Sequence, residues 1–557
     1  MTSAETDPTR RGRQRRRLAA VLVALAAILG AAGLAVLRES RKPVIISLDP
    51  AVGEPGGVVR VVGRNFGVER GDGRLEIAGI APTGSSYLSW SDGVIVARLP
   101  LIVDSGLVRV VNDRGRSNAR FFMNRDRLPE RPGAATGAGT SPRIESLSTA
   151  AAPVGGLVTI RGSNFGATRG ASQVLFAWSS PVASSGDANA VVEVSEAEGG
   201  YESWSDGEIR VRVPDGASSG GLVVRGDSGS SEPLYFQVAD MPGVKTYGDK
   251  RTYALSYFVQ VSRVKSTGPN DLWLWIPRPV ETAAQRQVRI VSRTREREDA
   301  GPPGVDLIRL RDLQPGRVET AYQAWSLQVH TVEVEVRPER IREIPAPIPE
   351  LVTRWTGPDR LVDPDDTRVK ALVRRLGLAE RNPYRLAKAA WDLCLAEWKP
   401  AVGARAEGED PLNLLDSGTG DPHDFAIAMT ALLRALGVPA LPVSGYLVSS
   451  GRTWRHYWVE FWIHGLGWIP LDPFLGAGGA VPGFAVPFSD RSRYFCGLDN
   501  RHVAFSRGAP SYAPMAPDGR VAVRERIHSL QDRYEEASGA IEEWTSFWSE
   551  VEVTGIY

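Results

Sequence analysis

The sequence predicts a multidomain, β-rich protein with an N-terminal transmembrane helix, two β-sandwiches, a third β-rich domain and a C-terminal α+β core. The chain has 557 residues, enough for about three to four domains of roughly 150 residues each. Its 58 glycines and 39 prolines favour short strands joined by turns over long helices. A motif that occurs twice, 99 residues apart, indicates tandem modules of one kind.

The composition excludes several classes of protein. Lys plus Arg number 66 and Asp plus Glu number 65, and the net charge of +1 argues against a nucleic-acid-binding protein with a basic surface. Two cysteines exclude both a multi-bridge disulfide framework and a cysteine-rich zinc module. Six histidines leave little material for metal clusters. We therefore expect neither a metal nor another cofactor.

The N-terminus predicts a membrane anchor. Residues 1–17 form a basic tail with six arginines, and 18–37 are an unbroken run of 20 small and apolar residues. Such a run crosses about 30 Å of hydrocarbon as a helix, and the arginines stay on the cytoplasmic side. A cleaved signal peptide is the alternative, because the small residues at 31–33 suit a peptidase. Both interpretations export the rest of the chain, so we expect a single-pass membrane protein whose bulk is extracytoplasmic, periplasmic or at the cell surface.

Two stretches share one pattern of strands and turns. The sequence Gly-x-Asn-Phe-Gly occurs at 63–67 and again at 162–166, and Trp-Ser-Asp-Gly follows at 90–93 and 204–207. Short alternating strands between Gly, Asn and Asp turns are typical of β-sandwiches. The order of these motifs resembles the IPT/TIG immunoglobulin-like family. Such modules serve as spacers, adhesion surfaces or binding platforms, and we expect a stalk here.

The domain organisation follows the changes of pattern along the chain. Alternating apolar residues such as Tyr253, Leu255 and Tyr257 predict a third β-rich domain after the two sandwiches. The apolar residues of 527–537 are spaced as in an amphipathic helix that packs back on the core. The predicted boundaries are 43–123 for the first immunoglobulin-like sandwich, 124–141 for a linker, 142–240 for the second sandwich, 244–345 for the β-rich domain, 360–490 for the core and 491–557 for a C-terminal extension.

The core carries the motifs that bear on chemistry. One helix begins at Pro383 after an asparagine N-cap, and Cys394 lies on its apolar face, which predicts a buried thiol. A Gly-rich loop at 417–420 leads into a second helix, with Asp421 as the predicted N-cap and Pro422 as the first residue. Two strands follow, with the sequences His-Tyr-Trp-Val-Glu and Gly-Trp-Ile-Pro-Leu-Asp-Pro.

This order resembles the core of the transglutaminase-like superfamily of cysteine acyltransferases and peptidases. The resemblance rests on the run Ala-Leu-Leu-Arg-Ala-Leu-Gly-Val-Pro-Ala and on the two strand sequences. It implies a cysteine at the start of the helix, a histidine on a following strand and an aspartate on the strand after that. The helix dipole and the imidazolium stabilise the thiolate, while the carboxylate orients the ring. Carried over to this chain, the resemblance places the base at His456, the orienting carboxylate at Asp472 and the nucleophile at Pro422.

Proline has no nucleophilic atom, so the resemblance implies a fold that has lost its attacking group. We therefore expect a pseudoenzyme, anchored in the membrane, that binds a protein, peptide or cell-wall ligand. The alternative is an active cysteine peptidase or acyltransferase that uses a displaced thiol, either Cys394 or Cys496.

Without the thiol, His456 and Asp472 have three interpretations. In the first, which we favour, they form a buried hydrogen-bonded pair that supports the two strands. In the second, they belong to a binding cleft with an aromatic lining. In the third, they bind a metal together with His423, but their spacing is not diagnostic of a metal site. The predicted binding residues of the cleft are Trp454, Trp458, Trp468 and His423.

Overall fold

The computed structural model describes residues 41–50, 52–77, 80–101, 103, 106–124, 141–178, 191–196, 198–298, 304–341, 349–401, 408–517, 519–524 and 527–557. The chain divides into two units, Met1–Leu128 and Pro129–Tyr557. The predicted anchor over 18–37 lies outside the described residues, as does most of the predicted linker. Within the described part of the chain, no helix is both long and apolar enough to cross a membrane.

The first unit contains a β-sandwich. Its strands are β1 (Val44–Asp49), β2 (Val52–Gly53), β3 (Val58–Arg64), β4 (Arg74–Ile77), β5 (Tyr87–Trp90), β6 (Val94–Arg98), β7 (Gly106–Asn112), β8 (Gly115–Arg116) and β9 (Arg120–Asn124). One sheet has the order β1-β3-β6-β5 and the other β2-β9-β7-β4, with β8 paired to β7. Alternate residues such as Val59, Val61, Val108 and Val110 are fully buried between the two sheets.

The second unit begins with a sandwich of the same architecture. Its strands are β10 (Arg143–Leu147), β11 (Ala151–Ala152), β12 (Leu157–Ser163), β13 (Gln173–Ala177), β14 (Val191–Glu193), β15 (Tyr201–Trp204), β16 (Glu208–Arg212), β17 (Gly220–Gly226), β18 (Gly229–Ser230) and β19 (Leu234–Val238). The sheets have the orders β10-β12-β16-β15 and β11-β19-β17-β13-β14. Apart from the added β14, each strand has its counterpart in the first sandwich.

The repeated motifs contact each other in both sandwiches. The carboxylate of Asp92 accepts a hydrogen bond from the backbone N–H of Gly67 at 3.0 Å, and that of Asp206 from Gly166 at 2.9 Å. The tryptophan two residues before each aspartate donates its Nε1–H to the carbonyl of the motif's phenylalanine, at 3.3 and 3.2 Å. The two motifs therefore recur together because they form one structural contact.

The remainder of the second unit contains a large sheet, a small sheet and helices. Its strands are β20 (Gly243–Pro277), β21 (Gln285–Arg293), β22 (Val305–Arg311), β23 (Glu319–Val336), β24 (Lys399–Pro400), β25 (Thr419–Gly420), β26 (Ala440–Ser449), β27 (Arg452–Ile463), β28 (Gly467–Leu471), β29 (Gly497–Leu498), β30 (His502–Arg507), β31 (Arg520–Ala522), β32 (Glu535–Trp548) and β33 (Glu552–Ile556). Its α-helices are α1 (Pro349–Thr356), α2 (Thr367–Leu376), α3 (Pro383–Glu397), α4 (Asn413–Ser417), α5 (Pro422–Ala435) and α6 (Pro473–Gly476).

The large sheet joins the third β-rich region to the end of the chain. Its central order is β21-β23-β20-β32-β31, with β22 and β33 paired to β20 and β29 paired to β23. The predicted amphipathic helix over 527–537 is wrong, because this segment runs into β32, where Ala537 pairs with Leu272 of β20. The pairing strand lies far away in the sequence, so the local spacing of apolar residues did not reveal it.

The small sheet forms the centre of the core. Its order is β28-β27-β26-β30, and helix α5 packs against β26 and β27. Helices α3 and α5 begin at Pro383 and Pro422 as predicted, with Asn382 and Asp421 as their N-caps. Every residue of β26 is buried, so the sheet is covered on both faces.

The second sandwich packs directly on the core. The backbone N–H of Gly465, in the turn after β27, donates to the carbonyl of Val154 at 3.0 Å. A Cβ atom on Gly155 would lie only 2.8 Å from the ring of Trp462, which shows how closely the two surfaces approach. This sandwich forms part of the same unit as the core, and its role as a stalk stays a prediction.

Candidate active site

Helix α5 begins at the position that the transglutaminase-like resemblance assigns to the nucleophile. The Asp421 carboxylate accepts the backbone N–H of Asp424 at 3.0 Å, and the Asp424 carboxylate accepts that of Asp421 at 3.2 Å. This reciprocal capping stabilises the helix start. Pro422 suits the first turn because its missing N–H has no partner within the helix. The structure thus keeps a well-formed helix N-terminus with no nucleophilic side chain at Pro422.

The structure brings His456 and Asp472 together. His456 lies on β27 and Asp472 directly follows β28, and Nε2 of the imidazole is 2.6 Å from Oδ2 of the carboxylate. Both side chains are fully buried. Burial opposes ionisation of Asp472, but the His456 charge and the hydrogen bonds from both neighbouring histidines lower the pKa of the carboxyl below its usual value. Asp472 is therefore an anion, and its hydrogen bond holds the ring of His456 in place.

A second histidine binds the same carboxylate. Nε2 of His502 lies 3.1 Å from Oδ2 of Asp472, and Nδ1 of His502 lies 3.0 Å from Oδ1 of Asp499. The hydroxyl of Tyr494 donates to the other oxygen of Asp499 at 2.7 Å. Burial disfavours the charged imidazole, but the charge of Asp499 and hydrogen bonds to both carboxylates raise the pKa of His502 to about 9.

Sequence reasoning did not include His502 in the site. His456 and His502 reach the same carboxylate because β27 and β30 flank β26, where Gly445 pairs with His456 and Leu447 pairs with His502. The turn Asp499-Asn500-Arg501-His502 carries no motif that points to Asp472. Its one sequence signal is the spacing of Asp499 and His502, three residues apart.

Two parts of the chain match known protein families. Residues 370–473 match the sequence model of the transglutaminase-like superfamily, and residues 142–238 match that of the IPT/TIG domain. The chain carries a transglutaminase-like domain. The resemblance inferred from the sequence motifs is thereby confirmed for the core and for the second sandwich.

Individual relatives match parts of the chain. It is 33% identical over 137 residues to a protein-glutamine gamma-glutamyltransferase of Pseudomonas aeruginosa, an alignment that covers 22% of this chain and 20% of the relative. The chain thus spans about a fifth of that protein's length. Among solved structures, a putative cysteine protease from Cytophaga hutchinsonii is 14% identical, with 56% of this chain and 92% of that chain covered and a TM-score of 0.37. The periplasmic domain of TgpA from Pseudomonas aeruginosa is 18% identical, with 41% and 87% covered and a TM-score of 0.24.

The thiols of Cys394 and Cys496 are both buried. Sγ of Cys394 lies 3.9 Å from the carbonyl of Pro473, and burial together with the charge of Asp472 raises the pKa of this thiol well above its usual value. Burial also raises the pKa of Cys496. Among the described residues, neither sulfur makes a hydrogen bond with His456. A reactive thiol needs a lowered pKa and exposure, and neither cysteine has them.

Three of the four residues predicted to line an aromatic cleft lie in the interior of the transglutaminase-like domain, and their part in binding stays a prediction. Trp458, Trp468 and His423 are 2%, 3% and 6% exposed. The ring of Trp458 lies 5.2 Å from that of His502, and His423 packs edge-on against Tyr457 at 4.9 Å. The physical reason is that helices and the large sheet cover both faces of the small sheet. Trp454 is the exception: it is half-buried beside Phe484 at 5.7 Å.

Proposed function

We propose that the transglutaminase-like domain is a pseudoenzyme that binds a protein, peptide or cell-wall ligand and does not transfer acyl groups. The observation that carries this proposal is Pro422 at the start of α5, where the family places its cysteine. The His456–Asp472 pair is retained, but position 422 offers no thiol for that pair to activate. The domain therefore retains the His456–Asp472 pair and the helix start of the enzyme family but lacks the nucleophile.

The alternative function is acyl transfer or hydrolysis through a displaced thiol. Cys394 and Cys496 are the two sulfurs that this alternative can use, and both are buried with raised pKa values. A thiol in such surroundings stays protonated near neutral pH and reacts slowly. The buried state of both thiols supports the pseudoenzyme proposal.

Restoring the nucleophile tests the proposal. The relative's name suggests the assay, which is transfer of a glutamine acyl group to an amine probe. We expect no turnover by the natural chain and a gain of activity in Pro422→Cys, because His456 and Asp472 are already paired. Positioned acid–base groups contribute typically ~10²–10⁴-fold, so His456→Ala in the Pro422→Cys background should remove most of the gain.

Iodoacetamide provides the control for the displaced-thiol alternative. The natural chain should show no iodoacetamide-sensitive turnover, whereas Pro422→Cys should lose its activity on alkylation. Turnover by the natural chain that disappears after alkylation, or after Cys394→Ala or Cys496→Ala, would contradict the pseudoenzyme proposal.

We place the ligand contact at Trp454, because it is the partly exposed member of the predicted binding residues. It neighbours Phe484, and the two rings offer apolar surface of the kind that lines binding sites.

In co-sedimentation with purified cell-wall sacculi or with a glutamine-bearing protein, Trp454→Ala should weaken binding about tenfold or more, as truncation of an aromatic contact does. Phe547→Ala is the matched control, since Phe547 is an exposed aromatic residue on β32. Equal binding by both variants would remove Trp454 from the contact.

We further propose that the chain is a single-pass membrane protein with its N-terminus in the cytoplasm and its bulk outside. The support is the arginine-rich tail before the apolar run over 18–37. In this arrangement the sandwiches and the transglutaminase-like domain meet extracytoplasmic ligands.

A further inference from the structure

Asp472 contacts two histidines, whereas the Cys–His–Asp arrangement of acyl transfer uses one. In that arrangement a single imidazole lies between thiol and carboxylate, which accounts for His456. His502 reaches the same Oδ2 atom from β30, at 3.1 Å. His502 therefore has no role in that catalytic arrangement, and its contact with Asp472 needs another explanation.

The ligating atoms of His456, Asp472 and His502 converge. One ring nitrogen of each histidine and one carboxylate oxygen lie within 4.8 Å of one another. The two nitrogens are 2.6 and 3.1 Å from the oxygen, and the ring planes are 66° apart, so the lone pairs approach from different directions. In a tetrahedral zinc site with bonds of about 2.0–2.1 Å, neighbouring ligand atoms lie roughly 3.3 Å apart. The His502 separation is close to that spacing, whereas the His456 separation is shorter and must lengthen when an ion enters.

We propose that His456, Asp472 and His502 bind a divalent transition-metal ion of the zinc type through Nε2, Oδ2 and Nε2. Two histidines and one carboxylate are the protein ligands of zinc sites that keep a fourth position for a non-protein group. On binding, each imidazole that donates to Asp472 releases its Nε2 proton, and the ion takes the place of the protons. The proposal does not depend on the proposed ligand-binding function. Because the ion would replace the His456–Asp472 hydrogen bond, the Pro422→Cys assay is run on EDTA-stripped protein.

The groups behind His502 and Asp472 have the arrangement found around bound metals, whereas Nδ1 of His456 is buried without a hydrogen bond in the described part of the chain. Asp499 lies behind His502, 3.0 Å from Nδ1, and Tyr494 in turn donates to Asp499. The other oxygen of Asp472 accepts the backbone N–H of Leu475 at 2.8 Å. A carboxylate behind a metal-bound histidine orients the ring and raises its basicity. The fold thus holds both His502 and Asp472 in fixed orientations.

The ligands were not recognisable as a metal motif in the sequence. His456 and Asp472 are 16 residues apart, and Asp472 and His502 are 30 apart. Known zinc motifs place at least two ligands within a few residues of each other on one element. Here three elements each supply one ligand, and the sheet order brings them together.

Metal uptake by the full chain tests the proposal. The protein is stripped with EDTA, dialysed, and titrated with Co²⁺ and Zn²⁺ alone. We expect one Co²⁺ per chain with visible ligand-field absorption, displacement of Co²⁺ by Zn²⁺, and a melting midpoint raised by Zn²⁺ as ligand binding requires. His502→Gln should abolish the absorption, and Asp499→Asn should weaken affinity about 10–100-fold.

His464→Gln is the matched control. His464 lies in the turn between β27 and β28 and outside the cluster, so this variant should bind Co²⁺ like the natural chain. No Co²⁺ uptake by the natural chain, or full uptake by His502→Gln, would overturn the proposal and leave protons as the sole bridge between the three residues. If His502→Gln fails to fold by circular dichroism, Asp499→Asn decides, and unchanged Co²⁺ affinity in that variant contradicts the site.

Discussion

Two histidines of equal burial have opposite protonation behaviour. His502 and His528 are 2% and 3% exposed. Burial, opposed by the charge of Glu550 and assisted by that of Arg455, lowers the pKa of His528 to about 3. Its ring stacks on Tyr446, whose hydroxyl lies 3.3 Å from Nδ1. His502 instead has a carboxylate on each ring nitrogen. The partner atoms, and not the depth of burial, decide which form each imidazole takes.

His528 makes stability fall in acid. Its folded-state pKa lies below the usual value of 6.5, so the unfolded chain binds the proton more readily and stability decreases as the pH drops below about 6.5. At about pH 5 this corresponds to roughly 2 kcal/mol, at 1.36 kcal/mol for each pH unit. Urea unfolding of the natural chain and His528→Asn at several pH values checks this. The difference in unfolding free energy between them should shift with pH by that amount, and a pH-independent difference would contradict the assignment.

At the scale of elements, local signals predicted the helices better than the strands. The N-caps Asn382 and Asp421 and the prolines that follow them start α3 and α5, because capping involves atoms within three residues. The start of strand β32 lies where the apolar spacing predicts a helix, because the pairing with β20 is remote in sequence. For the same reason the sequence did not predict the contact of His502 with Asp472, because Asp472 and His456 belong to other parts of the small sheet.

At the scale of the molecule, Lys245 connects three parts of the second unit. It lies on β20, and its Nζ is 2.7 and 2.8 Å from the two oxygens of Asp215 in the second sandwich. The same ammonium donates to the carbonyl of Trp468 in the transglutaminase-like domain at 2.5 Å. Lys245 is 7% exposed. A buried charge with three acceptors holds the large sheet, the second sandwich and the core in one arrangement.

Removing this charge should destabilise the whole second unit. Lys245→Met leaves the Asp215 carboxylate buried without its cation, and breaking a buried pair costs about 3–5 kcal/mol. The double variant Lys245→Met/Asp215→Leu should recover most of that loss, because neither charge remains. Arg375→Gln, which breaks the exposed pair with Glu397, is the control and should leave the melting midpoint unchanged. Calorimetry of the full chain measures all three, and a Lys245→Met protein as stable as the natural one would contradict this role.

By itself the sequence determined the two sandwich motifs, the helix starts of the core, the family resemblance and the absence of a nucleophile at Pro422. These features depend on residues close together in the chain or on motifs of fixed order. Only the tertiary structure decided that Trp458 and Trp468 are interior, that the second sandwich packs on the core, and that His502 joins His456 on Asp472. The physical reason is that burial and convergence depend on the order of strands in a sheet, which brings residues from different elements into contact.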